Sequence, residues 1–214
     1  MNNIAAYIDQ VADEPSRALE VCKELGIQYV VTSRLWSTDI LNVKDDLLSE
    51  FRSQCEAHGL TIVAIDVERH AERVPLVVSY FKCPYVMYHE MPAAAHVFES
   101  VQYNYAPLVY FKPGIDNKSS RVKLVYDPVS YQQNELDKIW KSQDFIGIIV
   151  SDKDYTSGPK PFGIGQTNIL TLSKSVQNKW LFIKPQLGRM YGSLNSREAI
   201  FRANFELLQQ SLRR

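Results

Sequence analysis

Asp144 to Gln166 reads DFIGIIVSDKDYTSGPKPFGIGQ. A run of apolar residues, Phe145 to Val150, stops abruptly at Ser151, Asp152, Lys153 and Asp154. A Gly/Pro-rich loop follows and closes on Gly163-Ile164-Gly165, ahead of a helix-like segment. A buried parallel strand delivers charged groups to the mouth of an α/β sheet or barrel in this way. Any chemistry is therefore expected where such strand ends converge.

Working outward, the same unit recurs along the chain. Strand-like runs are read at Ile4 to Ile8, Gln28 to Thr32, Leu60 to Ile65, Tyr85 to Tyr88, Pro107 to Phe111, Val122 to Tyr126, Phe145 to Val150 and Trp180 to Ile183. Helix-like segments lie between most of them. The first starts near Asp13, has Pro15 in its first turn, and stops at Gly26. The second has Asn42 as its expected cap and Val43, Leu47, Leu48, Phe51 and Cys55 on one face, ending at His58-Gly59. A short helix is expected from Pro75 to about Lys82. Further helices are expected at 92–103, around Leu136, Ile139 and Trp140, around Ile169 to Val176, and from Ser196 to about Leu212. Only ten residues, 112–121, separate the fifth and sixth runs, too few for a crossover helix.

Eight such units predict an α/β chain folded as a compact (β/α)8 barrel, with trimmed helices and the helix between strands 5 and 6 missing. At 214 residues it sits near the short end of that fold's range, roughly 200 to more than 400 residues. The runner-up is an open doubly wound sheet. No linker or repeat divides the chain, so residues 1–214 are read as one domain.

Composition bounds the function. Formal net charge is zero, with 24 basic and 24 acidic side chains, which argues against a nucleic-acid partner because phosphate neutralisation needs a basic field. Cys22, Cys55 and Cys83 are an odd number without metal-site spacing, and read as buried free thiols of a reducing compartment. No apolar run approaches the roughly 20 residues of a membrane helix, and no signal-peptide pattern opens the sequence. A cytoplasmic location is expected, and an oligomer is compatible with everything in the sequence.

The C-terminal ends of the strands carry Asp9, Thr32, Asp66, His89-Glu90, Lys112, Asp127, Ser151 to Asp154, and Lys184. Groups gathered at a barrel mouth are partly desolvated and must be paired, which makes a pocket the better explanation for so many of them. His89 and Glu90, with Asp66 and Glu68, form a candidate acid/base pair or shifted metal site. Gly163 and Gly165 offer amides that could cradle a phosphate at the next helix start, although a turn needing positive φ explains them equally well. Tyr155 follows Asp154 and is a candidate mouth residue.

These segments resemble the xylose isomerase-like TIM-barrel superfamily, which includes sugar-phosphate isomerases and epimerases and type 2 AP endonucleases. ALEVCKELGIQYVVTS (18–33) and CEAHGLTIVAID (55–66) look like its first helix with second strand, and its second helix end with third strand. VKLVYDPVSY (122–131) is similar to its sixth strand, where Asp-Pro-x-His is common. SDKDYTSGPKPFGIGQTNI (151–169) is similar to its seventh strand and loop, where His-x-Lys-Asp precedes a Gly-x-Gly turn. The resemblance implies a divalent metal held by glutamates from strands 5 and 8 with Asp and His from strands 6 and 7. Here Lys112 and Lys184 stand at the glutamate positions, and Ser130 and Ser151 stand where His is expected. Dications take oxygen or imidazole ligands, not ammonium groups. No metal and no other cofactor is expected.

Three roles are open to the two lysines. They pair with carboxylates (Lys112 with Asp127, Lys184 with Asp154 or Asp9), they bind an anionic ligand as point charges, or one acts as a base or Schiff-base nucleophile of lowered pKa. The resemblance implies a sugar or sugar-phosphate isomerase or epimerase, working here without metal. Its proton would move next to a carbonyl with Asp127, Asp154 or Glu90 as base and Lys112 or Lys184 steadying the enolate. Asp66, His89, Ser151, Lys153, Tyr155, Gly163 and Gly165 are the expected substrate-binding residues, for a small anionic or sugar-like ligand. The alternatives are a non-catalytic barrel binding an anion or a protein partner, and, third, an AP-endonuclease-like DNA activity.

Overall fold

The computed structural model describes residues 3–68, 71–89, 106–110, 122–128, 143–154, 158–176, 178–185 and 194–213. Eight parallel strands form its centre: β1 (Asn3–Tyr7), β2 (Tyr29–Thr32), β3 (Thr61–Val67), β4 (Tyr85–Tyr88), β5 (Ala106–Tyr110), β6 (Lys123–Tyr126), β7 (Phe145–Val150) and β8 (Trp180–Ile183). Each pairs with its sequence neighbour, and β8 pairs with β1 through Asn3↔Trp180 to Ala6↔Ile183, closing a barrel. The open doubly wound alternative is thereby excluded. The helices described are α1 (Ile8–Val11), α2 (Pro15–Glu24), α3 (Asp45–Ala57), α4 (Val74–Phe81), α5 (Ile169–Ser175) and α6 (Leu194–Arg213).

Side chains alternate along each strand, so two cores form. Ala5, Tyr7, Val31, Ala64, Met87, Val125, Ile149 and Phe182 fill the barrel interior. Ala6, Val30, Ile65, Val86, Ile148, Val150, Leu181 and Ile183 face the helices. Trp180 plugs the N-terminal end of the interior, edge-on to Tyr29 and Tyr85 at 5.1 and 6.3 Å and stacked on Phe182 at 5.6 Å. Gly147 makes room for it. A Cβ there would stand 2.5 Å from the Trp180 carbonyl oxygen and 2.7 Å from its Cβ. Gly147→Ala is therefore expected to cost about 3 kcal/mol, the upper end for overpacking a core, read as a lowered denaturation midpoint.

Most element boundaries follow the expected punctuation. Pro15 opens α2, and Gly26 follows it at φ +71°. Gly59, also at +71°, follows α3. Four expectations are corrected. Asn42 does not cap α3; it ends a 3-10 turn, Ile40–Asn42, whose first amides are held by the Asp39 carboxylate, 2.9 Å from Leu41 N. Asp9 is not on an extended strand end, because the chain turns into α1 at Ile8. β3 runs on through Asp66 to Val67, since Asp66 finds a counter-charge inside the barrel. The loop after β7 opens as an antiparallel hairpin, Asp152–Asp154 against Gly158–Lys160. The expected helices at 92–103 and around Leu136 to Trp140 lie outside the described residues, as does the link between β5 and β6.

α6 closes the outer layer. Glu198 accepts two bonds from Arg17 of α2 at 2.6 and 2.9 Å and one from Arg202 at 2.9 Å. Arg197 pairs with Asp13 and donates to the Asp9 carbonyl at 3.3 Å. The start of α6 is thus tied to the rim beside β1. No helix among the described residues is long and apolar enough to cross a membrane. The three cysteines are free and buried, and burial pushes each thiol up to about 12.

Candidate functional site

The period of two that fills the barrel also builds its mouth. The inner file of each strand continues past its last apolar member: Ala64 to Asp66, Met87 to His89, Val125 to Asp127, Ile149 to Ser151, Phe182 to Lys184. Five of the expected site residues therefore converge at the C-terminal end of the barrel.

Lys184 is their centre. Its ammonium lies 2.8 Å from Asp66 Oδ2 and 4.6 Å from the centre of the Tyr7 ring beneath it. His89 Nε2 is 3.0 Å from the other oxygen, Asp66 Oδ1. Tyr7 in turn donates to Met87 Sδ at 3.2 Å, which fixes the ring as a floor. Asp66 is 3% exposed. Burial alone would raise its pKa, but the Lys184 charge and the His89 contact outweigh it and hold the carboxyl well below the usual range. Burial likewise pulls Lys184 down, and Asp66, with help from Asp9 and Asp127, pushes it above the usual lysine value. Both groups are charged at neutral pH. Lys184 thus pairs with Asp66, which the sequence did not suggest, while Asp9 adds to the negative charge around it, and these neighbours favour the charged ammonium over a base of lowered pKa.

Asp127, 5% exposed, accepts a bond from Ser151 Oγ at 3.3 Å. A cavity of about 800 Å³ opens above these groups. Asp127, Lys184 and His89 line it together with Asp9, Arg34 and Trp36. Lys153 does not line it.

The Gly163 and Gly165 amides do not form a phosphate cradle, because an internal carboxylate already fills it. Asp152 points to the outer side of β7 and is fully buried. Its Oδ2 accepts from Gly163 N at 2.9 Å and Gly165 N at 3.1 Å, and its Oδ1 from Lys153 N at 2.9 Å and Thr167 N at 3.3 Å, with Thr167 Oγ1 closing the set. Gly163 reaches this arrangement at φ +81°. A Cβ on Gly165 would stand 2.2 Å from Asp152 Oδ1. Asp152 is the residue that sequence reasoning passed over.

Lys112, Glu90 and Tyr155 lie outside the described residues, and of Asp154 only the backbone, paired with Gly158, is described. The donor set that is described does not fit the divalent metal of similar barrels. An ammonium, which has no lone pair to offer, occupies the strand-8 position and already neutralises the Asp66 carboxylate. Ser151 replaces an imidazole at strand 7, and no group of three His, Cys, Asp or Glu among the described residues is placed to hold an ion.

No family model matches the chain, and comparison with curated proteins finds no significant match. Solved structures do match. A xylose isomerase domain protein from Planctomyces limnophilus superposes with a TM-score of 0.68 at 13% identity, covering 98% of this chain and 96% of that one. A D-psicose 3-epimerase, solved in the presence of D-fructose, gives 0.66 at 9% identity over 98% and 99%. A probable 3-DHS dehydratase from Bacillus anthracis gives 0.64 at 10% identity over 98% and 99%. The chain has the fold of the xylose isomerase-like TIM barrels.

Proposed function

We propose that the chain is a sugar isomerase- or epimerase-like protein that moves a proton next to a carbonyl without a divalent metal. The observation that carries this reading is Lys184: a half-buried ammonium, kept charged by Asp66, facing the same cavity as the Asp127 carboxylate. When a base takes the proton from a carbon beside a carbonyl, the C–H electrons form a C=C bond and the oxygen becomes an enolate. A fixed positive charge stabilises that oxygen more than the ground-state carbonyl. In this reading Lys184 supplies that charge, Asp127 takes and returns the proton, and Ser151 orients Asp127. Return by Asp127 to the neighbouring carbon, with the hydroxyl proton passing between the two oxygens, gives the aldose–ketose isomer; an epimer needs a second acid on the opposite face of the enolate. The presence of a D-psicose 3-epimerase and a probable dehydratase among proteins of this fold supports the coarse assignment.

The test is proton exchange. The protein is incubated with a panel of aldoses and ketoses in deuterated buffer containing a chelator, and loss of the C–H signal beside the carbonyl is followed by NMR. Exchange is expected with at least one substrate, abolished by Asp127→Asn and slowed about a hundredfold by Lys184→Met. Exchange indifferent to Asp127→Asn, or seen only with added Mn²⁺, would sink the reading. A second reading, a barrel that binds an anionic ligand without chemistry, draws on Lys184 being already neutralised. It predicts ligand-dependent thermal shifts with no exchange.

A further inference from the structure

A small hairpin, Arg34–Leu35 against Thr38–Asp39, contributes Arg34, Trp36 and Ser37 to the lining of the cavity. It is firmly mounted. Leu35 and Ile40 are buried in the outer core, Thr32 Oγ1 donates to the Arg34 carbonyl at 3.2 Å, and Ile40 N bonds Ser33 O at 2.9 Å. The two residues at its tip, Trp36 and Ser37, both have positive φ, 47° and 61°. Asn and Gly are the residues that adopt such a turn easily. A tryptophan there is an unfavourable local choice, and it lines the cavity.

The cations of the cavity differ in their commitments. Lys184 is paired with Asp66, and Arg197 with Asp13. Arg34 makes no ion pair or side-chain hydrogen bond among the described residues. Asp39, directly across the hairpin from it, is turned away to hold the Leu41 amide at 2.9 Å. Asp9, which also lines the cavity, has Oδ1 buried without a hydrogen-bond partner among the described residues, while Oδ2 accepts from Gln10 Nε2 at 2.9 Å. The lining of one cavity thus includes, among the described residues, an unpartnered acceptor, an aromatic side chain that also packs on the outer core, and an unpaired guanidinium.

The geometry points to this hairpin as the specificity element for a polyhydroxy ligand with an anionic end. Asp9 Oδ1 accepts a hydroxyl, the Trp36 ring covers the C–H side of the chain, and Arg34 takes the terminal carboxylate or phosphate. This rests on the proposed function in one respect, that the carbonyl end lies at Lys184 and Asp127.

Three aldoses that differ only at C6 test it: glucose, glucose 6-phosphate and glucuronate, titrated calorimetrically into the full chain. Wild-type protein is expected to bind at least one anionic sugar about tenfold or more tighter than glucose, and the rank of the two anions identifies the group. Arg34→Gln removes that preference, bringing both anionic sugars to within about twofold of glucose. Trp36→Leu weakens all three, by about tenfold. No preference for either anion in the wild type, no binding of any of the three, or a preference that survives Arg34→Gln, overturns the inference. Asp127→Asn keeps the anion preference while losing proton exchange. Failure of the catalytic reading therefore appears in the exchange assay, and failure of this one in the binding profile.

Discussion

Lys184→Met is expected to lower the free energy of unfolding by about 3–5 kcal/mol, the cost of removing one partner from a buried ion pair. The loss is not the 2.8 Å bond itself. It comes from the Asp66 carboxylate, 3% exposed, left in the barrel without its main counter-charge. Removing both charges, in Asp66→Asn with Lys184→Met, is expected to recover more than half of the loss, since a neutral pair carries no such penalty. The sign of the pH dependence follows. Asp66 is depressed in the folded state, so its contribution is present above the unfolded value of about 4 and is lost as pH falls below it. Lys184 is raised, so its contribution holds below the unfolded value of about 10.4 and is lost as pH rises past it. Wild-type stability should therefore be flat through neutrality and fall at both extremes. In the double variant both limbs should be shallower. Urea denaturation at several pH values, followed by circular dichroism, measures all of this.

Asp152→Ala should be comparably costly, about 4 kcal/mol or more. The carboxylate accepts from four backbone amides and one hydroxyl. Each buried donor left unpaired costs about 1–3 kcal/mol, reduced where water reaches the loop. The damage should be local before it is global: amides 163–167 lose hydrogen-exchange protection while those of β4 keep theirs. Gly165→Ala attacks the same contact from the other side, since its Cβ meets Asp152 Oδ1 at 2.2 Å. Its cost should be smaller in the Asp152→Ala background than in the wild type, but not abolished, because the Lys153 carbonyl oxygen would still stand 2.6 Å from the new Cβ. Additive effects would mean that the two residues do not share this contact.

Much of the barrel could be read from local chemistry. β4, β7 and β8 have the bounds that their apolar runs imply, because Pro, Gly or charged residues stop each run sharply. From there, a period of two carries the reading to Asp66, His89, Asp127, Ser151 and Lys184 without further information. Pairings are another matter. Lys184 and Asp66 stand 118 residues apart on β8 and β3, strands that are not neighbours. Only the closed barrel lets a lysine's length bridge them across β1 and β2. Asp152 was hidden for a related reason. All its partners but Lys153 lie 11 to 15 residues further on, in a loop whose amides converge only once Gly163 takes positive φ. The available signal was positional: an acidic residue on the outer file of a strand end, followed by a Gly-x-Gly turn. The Arg34–Asp39 hairpin gave no turn signal at all, because Trp36-Ser37 is a poor pair for its geometry.

The proposed function rests on the Lys184 ammonium, paired with Asp66, serving as the positive pole of the mouth in place of a metal ion. Metal analysis of protein purified without chelator tests it most directly. Less than about a tenth of an equivalent of any divalent ion is expected, with no shift in melting temperature on adding Mn²⁺ or Mg²⁺, because a donor set neutralised by Lys184 has little affinity for either. One equivalent of tightly bound metal that disappears in Asp127→Asn would contradict the account.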